Sequence, residues 1–71
     1  MILFEKKLGA YYLVEMKQDN IGNITITLFK KWSKGQGYEA VDEMTFTCEE
    51  REKALVRYEM ISLKTIKKYF K

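Results

Sequence analysis

Of the side chains that do chemistry in proteins, this 71-residue chain offers carboxylates, lysines and one cysteine, and it has no histidine. The commonest general base and the commonest metal ligand are therefore both missing. A single cysteine, Cys48, allows neither an internal disulfide nor a cysteine-based zinc site. Metal could bind only through carboxylates, and no spacing here resembles an EF-hand loop. The adjacent acids Asp42/Glu43 and Glu49/Glu50 come nearest to an acid/base pair. Such work needs two groups in one cleft with their pKa values driven apart. These pairs fall at an exposed strand end and a helix start, where solvation and capping account for them. Cys48 at a helix start could have a lowered pKa, but burial statistics favour a small buried residue at a strand-to-helix corner. The expectation is a chain with no catalytic residues, metal or cofactor, whose activity is binding alone.

The best binding signal lies in Lys30-Lys31-Trp32-Ser33-Lys34-Gly35-Gln36-Gly37-Tyr38, which gathers three lysines, an indole and a phenol around one turn. Gly35 and Gly37 stand between two strands, where they serve the turn rather than a phosphate loop. Lysines there could meet phosphates while an aromatic ring stacks on an exposed base. The plainer reading is a solvated turn whose only tryptophan covers the end of the core.

The elements that must position these residues follow from periodicity. Tyr12, Val14 and Met16 alternate with Leu13, Glu15 and Lys17, and Ile24, Ile26 and Leu28 alternate with Thr25, Thr27 and Phe29, each a strand pattern. Asp19-Asn20-Ile21-Gly22-Asn23 supplies the turn between them. In the third strand Asp42 falls on the apolar side and Val41 on the other, a conflict that a bulge within 40–43 would resolve. The fold class is α+β: a three-stranded antiparallel meander near 10–17, 23–32 and 38–47, then a helix from Thr47 or Cys48 packed on one face. Pairing of residues 2–6 would add a fourth strand. The expected core is Tyr12, Val14, Ile24, Ile26, Leu28, Met44, Phe46, Leu55, Tyr58 and Ile61.

Residues 47–71 contain neither Pro nor Gly, and Thr47 with Glu50 three residues later makes a capping-box start. Wound as one helix, this stretch has two apolar arcs. Ala54, Leu55, Tyr58, Ile61, Ile66 and Tyr69 form the first, and Val56, Met60, Leu63 and Phe70 form the second. A helix packed once onto one sheet needs only one of them. Three readings of the second arc stand open. A joint at Ser62, as N-cap of a second helix 63–70, would reset the register. The arc could instead pack under residues 1–8, or it could be a surface for a partner or a second copy.

A hydrophobic share of 46% and an aromatic share of 14% argue for a folded chain, and 71 residues for a single domain over 1–71. The formal charge of +3 is unevenly laid out. Six acids against Arg51 occupy 39–52, while Lys64, Lys67, Lys68 and Lys71 close the chain. The N-terminal apolar run is too short for a secretion signal, and no stretch spans a membrane, so a reducing cytoplasm is the expected setting.

The stretch from Thr27 to Tyr58 resembles the WGR nucleic-acid-associated domain: a strand ending in Trp32, a turn with the step Gly35-Gln36, a strand to Phe46 and a Glu-rich helix start. Ser33-Lys34 stands where that family has Gly-Arg. The resemblance implies that such a topology can serve DNA binding. In its size, its abundance of Lys and Ile and its lack of Pro and His, the chain is similar in character to small phage and mobile-element proteins, anti-CRISPR proteins among them. That likeness implies occupation of a surface on a nucleic-acid-handling protein. The residues expected to meet a protein partner are Lys31, Trp32, Lys34, Arg57, Met60, Leu63 and Phe70. A homodimer through the helix is a further expectation. The alternative is direct nucleic-acid binding by Lys30, Lys31, Lys34, Lys53, Arg57, Lys64, Lys68 and Lys71.

Overall fold

Four runs of alternating residues pair in chain order. The computed structural model, which describes residues 1–70, contains β1 (Ile2–Leu8), β2 (Tyr12–Gln18), β3 (Ile24–Lys30) and β4 (Glu39–Phe46) as one antiparallel sheet in the order β1-β2-β3-β4. A single 3-10 turn, Cys48–Glu50, leads into α1 (Arg51–Met60), which packs against β3, and α2 (Ile66–Tyr69) follows a break. Residues 2–8 thus form a full fourth strand, closed onto β2 by a turn in which Gly9 has φ +67°. That backbone conformation is what calls for glycine, and a Cβ there would lie 3.0 Å from Cδ1 of the exposed Leu63 side chain, which can shift. The β2–β3 loop is tied by the Asp19 carboxylate, whose Oδ1 accepts from the Ile21 and Asn23 amides at 3.1 and 2.9 Å.

Register decides which residues meet the helices. Phe4, Met16, Ile26 and Met44 align in one row, and Lys6, Val14, Leu28 and Asp42 in the next. The register shifts opposite Leu28 and Phe29, leaving Val41 as the extra residue of a bulge inside the expected span. The bulge does not move Asp42, which stays on the helix side with Met44; it is Ala40 that turns to the other face with Phe29. Met16 and Ile66 join the expected Val14, Ile24, Ile26, Leu28, Phe46, Tyr58 and Ile61 in the buried core, while Tyr12, Met44 and Leu55 are only half-buried against it.

The C-terminal stretch is two helices separated by residues 61–65. The N-cap of the second is Thr65 rather than the expected Ser62, so that helix is Ile66–Tyr69 and not 63–70. Ile61 is extended (φ −76°, ψ 124°) and ends α1, its own amide donating to the Tyr58 carbonyl at 3.2 Å. Lys6 Nζ donates to the Tyr58 carbonyl at 2.7 Å, and Thr65 Oγ1 donates to the Met60 carbonyl at 2.8 Å. Ser62 then starts the next turn: its carbonyl accepts from the Ile66 amide (2.9 Å), and its own amide donates to Thr65 Oγ1 (2.8 Å).

Two further expectations are corrected here. Phe70, expected on an exposed arc beside Val56, Met60 and Leu63, is only 3% exposed. The break rotates α2 so that Ile66 and Phe70, four residues apart, both point inward. Cys48, expected to be buried at the corner, is exposed, with Gly22 lying close under its Cβ. Lys71 lies outside the described residues.

The start of the helical segment is as its sequence implies. Glu50 Oε1 accepts from the Thr47 amide at 3.0 Å and from its hydroxyl at 3.3 Å. The hydrogen bond from the Thr47 backbone, more than Lys53 nearby, holds the Glu50 carboxyl below its ordinary pKa. A carboxyl depressed in the folded state contributes stability that is present above the unfolded value of about 4.3 and is lost as pH falls through the folded value. Thermal melts across that range should therefore show an acid limb. Glu50→Gln, which keeps an acceptor but cannot titrate, should flatten it.

Truncation tests the core. Ile61→Ala and Phe70→Ala should each cost about 2–5 kcal/mol in chemical denaturation, whereas Val56→Ala should stay within about 0.5 kcal/mol.

Candidate interaction surface

α2 divides the apolar surface left uncovered by the fold into two clefts. On one side, a cleft of about 330 Å³ is lined by Glu52, Lys53, Val56, Arg57, Met60 and Tyr69. Val56 is 58% exposed and Met60 50%, large values for apolar side chains one turn apart on a packed helix. Arg57 is fixed beside them. Its guanidinium carbon stands 4.7 Å from the centre of the Tyr69 ring, and Nη1 reaches Met44 Sδ at 3.5 Å. The Tyr69 hydroxyl in turn lies 3.8 Å from Met60 Sδ, and Lys68 Nζ lies 5.7 Å from the same ring. An arginine held over a tyrosine ring is pre-organised for a carboxylate or phosphate and loses little freedom on binding.

On the other side, a cleft of about 320 Å³ is lined by Tyr12, Leu28, Lys30, Trp32, Val41, Ile66, Lys67 and Phe70. Trp32 is 57% exposed at its rim. Lys30 Nζ lies 5.3 Å from the Trp32 ring and 5.5 Å from that of Tyr12. A third cleft, on the turn itself, is lined by Trp32, Gln36, Gly37, Tyr38 and Glu39.

The expected site residues are therefore only partly gathered. Arg57 and Met60 meet, with Lys53 beside them. Trp32 meets Phe70, but Phe70 forms wall and core rather than exposed contact surface. Leu63 is exposed yet stands apart, against Gly9 at the β1–β2 turn. Lys31 leans on Tyr38, 5.1 Å from its ring, and Lys34 is exposed in the turn. Lys64 and Lys68 are exposed, the latter joined to Arg57 through Tyr69. The expected basic track is thus broken into a Lys53–Arg57–Lys68 group and a Lys30–Lys67 group on either side of α2. Tyr69 and Val41 were not singled out as site residues, because the reset register and the bulge that place them are tertiary effects.

Lysines and arginine make six ring contacts among the described residues. Folded proteins average roughly one energetically significant contact per 70–80 residues. Basic charge on this surface is consequently presented over aromatic rings. The uncovered face of the sheet is different in kind. Glu5, Glu15, Thr27 and Glu43 align in one row, and Glu15, nine-tenths buried, has Lys17 Nζ 3.2 Å from Oε1 as an ion pair without hydrogen-bond alignment.

Among the described residues there is no group of three or more side chains arranged to hold a metal ion, and no helix long and apolar enough to cross a membrane. No family model, curated protein or solved structure matches this chain, so the likeness to the WGR domain receives no support from a family match.

Proposed function

We propose that this is a non-enzymatic binding protein, acting in the cytoplasm, that docks on a protein partner through the Val56–Arg57–Met60–Tyr69 patch. The observation that carries the reading is that patch: two half-exposed apolar side chains around an arginine stacked on tyrosine. Interface hot spots favour Arg and Tyr in such settings, with apolar contacts that exclude water around them. A second copy of the chain is the less favourable occupant. From Arg51 to Phe70 there are six cations (Arg51, Lys53, Arg57, Lys64, Lys67, Lys68) and two acids (Glu52, Glu59), so two-fold pairing here would set like charge against like. The partner fits better with carboxylates facing α2 and a basic region facing Glu39, which stands opposite Lys30 at the start of β4. A nucleic-acid-handling protein carries such a basic region where its substrate runs, and occupying it would inhibit that protein.

A second reading, direct binding of single-stranded nucleic acid, is favoured by one observation: the exposed Trp32 ring with Lys30 over it, a stacking platform next to positive charge. Glu39 in the adjoining cleft weighs against it.

The test is a pull-down from nuclease-treated extract with wild type, Met60→Glu and Trp32→Ala as baits. Proteins retained by wild type and Trp32→Ala but lost with Met60→Glu are the expected result, with capture weakened about tenfold or more. The same proteins on all three baits would exclude the patch. A low-salt mobility shift lost with Trp32→Ala, with affinity falling by a log–log slope of about 0.7 per phosphate contacted, would replace this reading with the second. Sedimentation of wild type should show a monomer.

A further inference from the structure

We infer that the cleft between β3, the β4 bulge and α2 is a binding site for a small amphipathic anion, a molecule with one apolar ring or short chain and one carboxylate. Its floor is buried and apolar, made by Leu28, Ile66 and Phe70, and its rim is exposed, made by Trp32 and Val41. The wall therefore runs from core to solvent within a single depression. At about 320 Å³ it lies at the small end of the roughly 300–1,000 Å³ that small-molecule sites occupy. A ring with a short tail fits that size.

Charge selects the anion. Two of the eight lining side chains are lysines, Lys30 and Lys67, and none is an acid. Glu39 stands opposite Lys30 in the register but lines the neighbouring cleft on the turn. Lys30 is held over the Trp32 and Tyr12 rings, 5.3 and 5.5 Å from their centres, which keeps an ammonium at the mouth with its charge unspent on a carboxylate. Asp42, opposite Leu28 and next to Val41, is also an acid on this side of the sheet, but it does not line the cleft and its Oδ1 accepts from the Glu43 amide. A cationic or neutral guest of the same shape would fill the floor equally well and gain nothing at the rim.

The cleft lies across α2 from the Val56/Met60 patch, so the inference is independent of the docking proposal. Trp32 is the only tryptophan in the chain, and its emission reads the cleft directly. Three probes with one common body separate the contributions: phenylpropionate, phenylpropanol and phenylpropylamine. Phenylpropionate should shift Trp32 emission saturably at millimolar concentration. It should bind about threefold or more tighter than the alcohol, with the amine weakest, a modest margin because the lysines are at a solvated rim. Lys30→Gln and Lys67→Gln should each move the acid toward the alcohol's affinity and leave the alcohol unchanged. Met60→Glu should leave all three unchanged. Amide shifts at Leu28, Val41 and Ile66, recorded in Trp32→Phe, supply a readout that does not depend on fluorescence. No saturable change by either readout, equal affinity for the three probes, or shifts centred on another surface would overturn the assignment.

Discussion

One interruption of the backbone governs this molecule: the extended residue Ile61 between α1 and α2. A helix that stops without glycine or proline leaves carbonyl groups that must find partners or lose hydration for nothing. Here the partners come from two directions. The Tyr58 carbonyl accepts from the Ile61 amide and, in addition, from Lys6 on the edge strand β1, and Thr65, four residues past the break, reaches the Met60 carbonyl. The lysine bond fastens the N-terminal strand to the end of α1, where an ammonium also suits the helix dipole. The threonine bond folds the chain back on itself. With both in place Ile61 is buried as an anchor, Ile66 and Phe70 enter the core, and Met60 is left outside. The exposed patch and the cleft beside Trp32 are both products of that one turn.

Lys6 also settles what happens at the sheet's edge. Its side chain lies on the helix face in the row of Val14 and Leu28, passes over the Tyr58 ring at 4.5 Å and ends on the helix carbonyl. Burial lowers its pKa, while Glu59 pulls the other way. The same burial raises the pKa of the Tyr58 hydroxyl, with Glu5 and Glu59 adding to it. An inward-pointing charge on an edge strand is a known device against edge-to-edge pairing, and β4 has its counterpart in Asp42 beside the Val41 bulge. β1 carries its own irregularity between Ile2 and Phe4. Each edge thus carries a register irregularity and an ionisable residue, which disfavour edge-to-edge pairing.

Much of this was legible in the residue order. Alternation at Val14/Met16 and Ile24/Ile26/Leu28 identifies two strands and their buried side, because a period of two admits one inward face. The misplaced Asp42 identifies the bulge, and Thr47 with Glu50 identifies the helix start. Residues 2–8 were harder to read. Their pattern includes Lys6 on the inner face, and only the long-range bond to Tyr58 explains a lysine there. The second apolar arc admits several readings in the sequence for a related reason. Val56, Met60, Leu63 and Phe70 share an arc only on one straight helix, and the break sends Phe70 inward and Leu63 to the β1–β2 turn. The site was less legible than the fold, since Arg57 and Tyr69 meet only because the chain doubles back.

That doubling back can be measured directly. On one continuous helix, positions 57 and 69 are about 18 Å apart along the axis, far beyond any contact between their side chains. The account predicts nuclear Overhauser contacts from the Tyr69 ring to the Arg57 side chain and to the Met60 methyl group, with extended-chain signatures at Ile61. Unbroken helical contacts through Ile61–Thr65, with none between Tyr69 and Arg57, would contradict it.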